Sequence, residues 1–148
     1  MNLDKGKVVF FHSSVDGLQI NFPVIKVIDI IREIIGDNGS ILAPTDSLGG
    51  MSTYDFLKSG QVFDVRKTPS ASGLLSEFLR RTPGSIRSFH PIKSVSGIGP
   101  DVEEITNHHQ HSIYPFDSNS PYFRLLDYDS VIVGIGTGYT GRNTMGLP

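Results

Sequence analysis

The sequence predicts an α/β fold: a three-layer-like domain with a mixed, largely parallel sheet flanked by helices. Three observations predict it. Two short runs, "KVVFFHSS" from Lys7 and "SILAPTDS" from Ser40, have strand composition and enclose a stretch of helical periodicity. Strand, helix and strand within about forty residues form a βαβ unit, which implies parallel pairing and a right-handed crossover. Further amphipathic stretches and a closing apolar run, "SVIVGIG" from Ser130, continue the alternation to the end of the chain.

Each element has its own signal. "KVVFFHSS" is β-branched and aromatic, then small and polar, as a buried strand emptying into a loop should be. In the stretch after it, Val24, Val27, Ile28, Ile31, Ile34 and Ile35 repeat at helical spacing, with Pro23 suited to the first turn and Gly36 to the C-terminal cap. Pro44 stops the second strand. Residues 48–70 read as a long loop, and loops of that length in compact domains are usually functional or mobile. "SASGLLSEFLRR" reads as an amphipathic helix with Ser70 as N-cap and an apolar face of Leu74, Leu75, Phe78 and Leu79. "IRSFHP" and "KSVSGIG" read as short strands separated by Pro91. "GPDVEEITNHHQH" begins as a helix and then loses its periodicity. "SNSPYFRLLDYD" restarts one, with Ser120 as cap and Pro121 at the first position. "SVIVGIG" reads as a buried last strand.

Composition narrows the function. The 148 residues suit one domain with a core. A hydrophobic content of 38% and a charged content of 19% are globular values. The formal net charge of −2 suggests neither nucleic acid nor an anionic membrane as partner. No cysteine is present, so disulfides, thiolate metal sites and cysteine nucleophiles are excluded. The N-terminus does not read as a signal peptide, and no apolar run reaches the ~18 residues of a spanning helix. The expectation is a cytoplasmic domain without membrane attachment.

Four stretches are candidate sites. Gly136 to Gly141 match G-x-G-x-x-G after a strand, but a dinucleotide fingerprint also needs a following helix and a distant acid; the match is read as coincidental. His108, His109 and His111 do not match a helix pair at i and i+4, so they read as an exposed polar helix end or loop and no metal is expected. "FHSS" places His12, Ser13 and Ser14 at a strand's carboxyl end, where open α/β sheets bind ligands; a simple strand-end turn fits these residues equally well. In "RSFHPIKS", alternation puts Ser88 and His90 on one face and Arg87 and Phe89 on the other. His90 there either meets a polar ligand or is a hydrogen-bonded histidine of a half-buried strand.

In order along nearly the whole chain, these pieces resemble the antibiotic N-acetyltransferase family, whose best-known members are aminoglycoside 3-N-acetyltransferases. The resemblance is carried by "KGKVVFFHSS", by "VIDIIREIIGDNGSILAPT", and by "SNSPYFRLLDYDSVIVGIGTGYTGRNT". Its strongest part is "FDVRKTPSASGLLSEFLRRTPGSIRSFHPIKSVSGIGPDVEEIT". It implies transfer of an acetyl group from acetyl-CoA to a small-molecule amine acceptor, an aminoglycoside or a related amino sugar. That chemistry needs a base for the amine and donors for the developing oxyanion, but no cysteine. By resemblance, His12, Ser13 and Ser14 line the pantetheine and pyrophosphate side. Thr68, Ser70, Arg87 and Ser94 are further cofactor-surface candidates, and His90 is the candidate catalytic residue.

Two departures from the family pattern shape the expectation. Asn143-Thr144 is followed by Met145-Gly146-Leu147-Pro148, so Leu147 falls where the family has its histidine. The loop over residues 46–60 is compact, where the family often carries an insertion. The sequence therefore reads as the N-terminal part of the family fold, C-terminally truncated. The alternative to a working enzyme is a non-catalytic homologue that binds CoA or a partner chain, and an exposed sheet flank invites a homo-oligomer.

Overall fold

The hydrophobic pattern of the first strand decides the layering. Val8, Val9, Phe10 and Phe11 are all buried, so this strand must be covered on both faces. The structure, a computed structural model describing residues 3–137, shows how. Five strands, β1 (Val8–Ser13), β2 (Ser40–Pro44), β3 (Ile86–Arg87), β4 (Val95–Ile98) and β5 (Ser130–Ile135), form one sheet in the order β3-β4-β2-β1-β5. The sheet is mixed. β1 runs parallel to β2 and β5 over three and six residue pairs, while β4 runs antiparallel to β2 and β3 over four and two.

Side chains alternate between the two faces of this sheet. Val9, Phe11, Ile41 and Ala43 pack against α1 (Lys26–Ile35) and α3 (Leu74–Arg81). Val8, Phe10, Leu42 and Val95 pack with Val102 and Ile105 of α4 (Val102–Thr106) and with Leu125, just beyond α5 (Pro121–Arg124). The predicted βαβ unit is present as β1, α1 and β2, and Gly36 ends α1 with φ of 70°. Ser120 caps α5 as expected, its hydroxyl accepting from the Phe123 amide. Among the described residues no helix is long and apolar enough to cross a membrane.

Several details differ from the sequence reading. Residues 48–70 contain a helix, α2 (Thr53–Lys58), anchored by buried Phe56 and capped by the Ser52 hydroxyl, which accepts from the Asp55 amide. Its Tyr54 and Leu57 stay exposed, so no apolar stripe announced it. Helix α3 begins three residues later than Ser70 would place it, with Gly73 as N-cap. Ser70 instead gives its amide to Glu77 Oε2. Leu75 and Leu79 fill the core, whereas Leu74 points outward and is 48% exposed. In α1, Ile28, Ile31 and Ile35 are buried and Ile34 is exposed.

The last strand is not buried. β5 is an edge strand: Val133 and Ile135 pack toward the α1 face, and Ile132 is 67% exposed. Its end passes close under the loop after β1. A Cβ on Gly17 would meet the Gly136 carbonyl oxygen at 2.0 Å, and Gly136 itself has φ of 65°. Gly136 therefore serves a close backbone crossing. The remainder of the glycine-rich match, from Gly138 on, and the Asn143 to Pro148 segment lie outside the described residues.

The α3 register is directly testable. Leu75→Ala should lower the urea-unfolding free energy by about 2–5 kcal/mol. Leu74→Ala should cost less than about 1 kcal/mol. Equal costs would contradict the helix phase.

Candidate functional site

The carboxyl ends of β1 and β2 lie side by side, and the polar candidates gather there. The β1–β2 ladder ends at Phe10↔Leu42, and beyond it Phe11, His12 and Ser13 pair with β5. Ser13 also faces Gly73, the N-cap of α3: a Cβ at Gly73 would stand 3.5 Å from the Ser13 carbonyl oxygen. Ser13 Oγ is buried and has no hydrogen-bond partner among the described residues. Asp46 holds Lys93 through one oxygen at 2.8 Å, while its Oδ1 is buried and likewise unpartnered. Asp46 also ties down the chain leading into α3. Its carbonyl accepts from the Ala71 amide at 2.7 Å, and its amide donates to Ser72 Oγ at 2.8 Å.

Arg87 forms the back wall. Its Nη2 donates to the Thr45 carbonyl at 2.7 Å, Nη1 to the Thr68 carbonyl at 2.5 Å, and Nε to Ser94 Oγ at 2.9 Å. Ser47 Oγ accepts a further, longer bond at 3.1 Å, and the Phe63 ring lies 4.8 Å from the guanidinium carbon. Burial, and secondarily the nearby Arg80 charge, push the Arg87 pKa down to about 10, which leaves it charged at neutral pH. Ser94 Oγ in turn donates to the Thr45 carbonyl, Thr68 Oγ1 accepts from the Asp64 amide, and Ser70 Oγ accepts from the Ser72 amide. Of the sequence candidates, Arg87, Thr68, Ser70 and Ser94 therefore build and brace the wall. His12, Ser13 and Ser14 lie at and just beyond the end of β1, where Ser13 faces Gly73.

The alternation read from "RSFHPIKS" is kept. Arg87 and Phe89 both contact Phe63, whereas Ser88 and His90 both contact His109. The expectation that the histidine cluster is exposed fails for His109, which is fully buried. His109 is taken inward because Ser88 and His90 offer it a partner on each side. Its Nδ1 is 2.8 Å from Ser88 Oγ, and its ring stacks on His90 with centroids 4.5 Å apart. His108 and His111 remain exposed. The sequence signal that could have found His109 was the spaced pair Ser88 and His90 on one strand face. Among the described residues no group of three His, Cys, Asp or Glu side chains converges to hold a metal.

His90 has a defined tautomer. Its Nδ1 accepts from the amides of Ile92 at 3.2 Å and Lys93 at 3.0 Å. An imidazole nitrogen that accepts carries no proton, so neutral His90 bears its hydrogen on Nε2. Taking up a second proton would break both backbone bonds. Burial lowers the His90 pKa, and it does the same for His12, with Asp46 opposing in both cases.

Small hydroxyls, a neutral imidazole and a helix N-terminus gather at the carboxyl edge of an open α/β sheet. The chain belongs to the aminoglycoside 3-N-acetyltransferase family, whose model matches residues 10–146. Aminoglycoside N(3)-acetyltransferase IX of Micromonospora chalcea is 25% identical over 92% of this chain and 53% of its own length. Aminoglycoside N(3)-acetyltransferase VII of Streptomyces paromomycinus is 28% identical over 92% of this chain and 51% of its own length. Among solved structures, sisomicin-bound AAC-VIa superposes with a TM-score of 0.81 at 27% identity, covering 92% of this chain and 55% of that one. AAC-IIIb in its binary complex with CoASH gives a TM-score of 0.69 at 25% identity, over 84% and 51%. The chain thus spans about half the length of the curated relatives it matches.

The buried histidine pair generates a pH prediction. Burial, then the adjacent His90, lower the His109 pKa to about 4 from an ordinary 6.5, with Asp117 opposing and Arg124 adding to the shift. Between those values the unfolded chain binds more protons than the folded one. Stability is therefore full above pH 6.5 and falls as the pH drops toward about 4. Urea midpoints should decline across that window, and decline less steeply in His109→Asn. His12 and His90 shift in the same direction, so part of the slope should remain. Identical slopes for wild type and variant would contradict the assignment.

Proposed function

We propose that this domain binds acetyl-CoA at the carboxyl edge of β1 and β2 and serves acetyl transfer to an amino group of an aminoglycoside or related amino sugar. The observation that carries the reading is the unpartnered Ser13 hydroxyl beside the N-terminus of α3. A buried hydroxyl without a partner costs stability unless a ligand completes it. A pyrophosphate oxygen or an amide carbonyl can accept a hydrogen bond from that hydroxyl. Two relatives support the reading: one structure is a complex with CoASH and another holds sisomicin.

In this reading acetyl-CoA supplies the acetyl group as an activated thioester. Ser13 and Ser14 orient the cofactor chain, and His12 closes the side nearest Asp46. Arg87, Thr68, Ser70 and Ser94 serve by fixing the wall against which the cofactor lies. Asp46, with Oδ1 unpaired, is placed to attract a cationic amine. His90 acts through its Nε2–H as a donor, because its other nitrogen is committed to two backbone amides.

That last observation favours a second reading, in which this chain binds CoA or a partner chain without turnover. A histidine held as a donor cannot deprotonate the amine, so His90 is not the base in either reading. Calorimetry with CoA, followed by an assay of thiol release from acetyl-CoA with a panel of aminoglycosides, separates the cases. CoA binding with release supports the enzyme, and binding without release supports the second reading. Ser13→Ala should weaken CoA by about three- to tenfold. Absence of CoA binding at millimolar ligand would overturn the cofactor site itself.

A further inference from the structure

A second polar feature lies behind the Arg87 wall, on the side away from β1. It is a cleft of ≈ 550 Å³ between the C-terminal end of α3 and β3, within the range of roughly 300–1,000 Å³ common for ligand sites. Arg66, Arg80, Arg81 and Arg87 all line it, and no carboxylate does. Ser85 also lines it, and the Ser85 hydroxyl is buried with no hydrogen-bond partner among the described residues.

The charges there are incompletely neutralised. Glu77 grips Arg80 in a fork, with bonds of 2.8 Å to Nε and 2.6 Å to Nη2, so that pair cancels. Arg80 Nη1 also donates to the Arg66 carbonyl at 2.8 Å, which fixes where Arg66 begins. Asp64 turns its carboxylate to the amides of Arg66 and Lys67. The side chains of Arg66 and Arg81 are exposed and make no hydrogen bond or ion pair among the described residues. Arg87 spends its donors on neutral carbonyls and hydroxyls and makes no ion pair among the described residues, although the nearby Glu77 and Asp46 carboxylates favour its charged form. Burial and then the Arg80 charge lower the Arg87 pKa, with Glu77 and Asp46 opposing. Four guanidinium groups line the cleft and three carboxylates, Glu77, Asp64 and Asp46, act on them from outside its lining, so the balance at the cleft still favours an anion.

We propose that this cleft is a phosphate-binding site, with Arg66 and Arg81 gripping the anion and the Ser85 hydroxyl completing its hydrogen bonds. Guanidinium groups match phosphate oxygens in bidentate geometry, which points to a phosphate group over a simple halide. The phosphate has two sources: the 3′-phosphate at the nucleotide end of CoA, or free inorganic phosphate. Only the first source rests on the function proposed above.

The probe is inorganic phosphate, followed by the arginine Nε–H signals in NMR spectra of the whole chain. Phosphate should shift the Arg66 and Arg81 signals. Arg66→Ala combined with Arg81→Ala should weaken binding by about tenfold or more. Both side chains are exposed, so unchanged thermal midpoints should confirm folding, and each single variant provides an intermediate reading. Arg32→Ala, which removes one exposed charge from α1, should leave phosphate binding unchanged. Displacement of phosphate by CoA but not by dephospho-CoA identifies the 3′-phosphate as occupant, and displacement by neither identifies free phosphate. The proposal is overturned if phosphate at tens of millimolar shifts neither signal, or if the Arg32 variant loses as much affinity as the double variant. Because inorganic phosphate is the probe, these results do not depend on whether CoA binds at the edge of β1 and β2.

Discussion

One buried cation organises the working end of this domain. Arg87 is 9% exposed and makes no ion pair among the described residues. Removing a guanidinium from water is costly, and here the cost is offset by dipoles: two main-chain carbonyls, two serine hydroxyls and one aromatic face. The carbonyls belong to segments far apart in sequence, Thr45 at the end of β2 and Thr68 in the approach to α3. A single side chain from β3 thereby fixes two segments that have no strand pairing between them. Neither lysine nor a neutral residue can reach both carbonyls with directed donors.

Everything at the site follows from that fixation. With Thr45 and Thr68 held, Asp46 meets Ala71 and Ser72, and Gly73 can start α3 against Ser13. The Ser13 hydroxyl and the free Asp46 oxygen are then left pointing where the protein supplies no partner. On the other face of the same short stretch, Ser88 and His90 bury His109, and the Ile92 and Lys93 amides set the His90 tautomer. Alternation along four residues thus joins a structural clamp on one side to a histidine pair on the other. The arginine-rich cleft is a consequence of the same arrangement, since Arg87 is its inner wall.

Much of the fold was legible in the sequence because it rests on local signals. Valine and phenylalanine runs mark β1, isoleucine spacing marks α1, and Ser120-Pro121 marks the start of α5. Helix α2 was missed because one buried phenylalanine gives no periodicity, although Ser52 and Asp55 have the spacing of a capping box. Ser70 resembled an N-cap because its position three residues ahead is indistinguishable in composition from a cap; only Glu77, reaching back to its amide, shows otherwise. The apolar composition of β5 suggests burial, but position within a sheet is set by long-range pairing, which short-range composition does not encode. The same limit applies to the site. The residue types at His12, Ser13 and Arg87 were visible, but their roles depend on contacts between distant positions, Arg87 with Thr68 and Thr45 and Ser13 with Gly73.

The central claim is that Arg87 holds the β2 end and the approach to α3 in one arrangement. Amide hydrogen exchange on Arg87→Lys tests it directly. Protection should fall by about tenfold or more at Asp46, Thr68 and Ala71. The amides of Val9, Phe11 and Ile41 in the sheet core should keep theirs. Unchanged exchange at Thr68 and Ala71, or an equal loss across β1 and β2, would contradict the account.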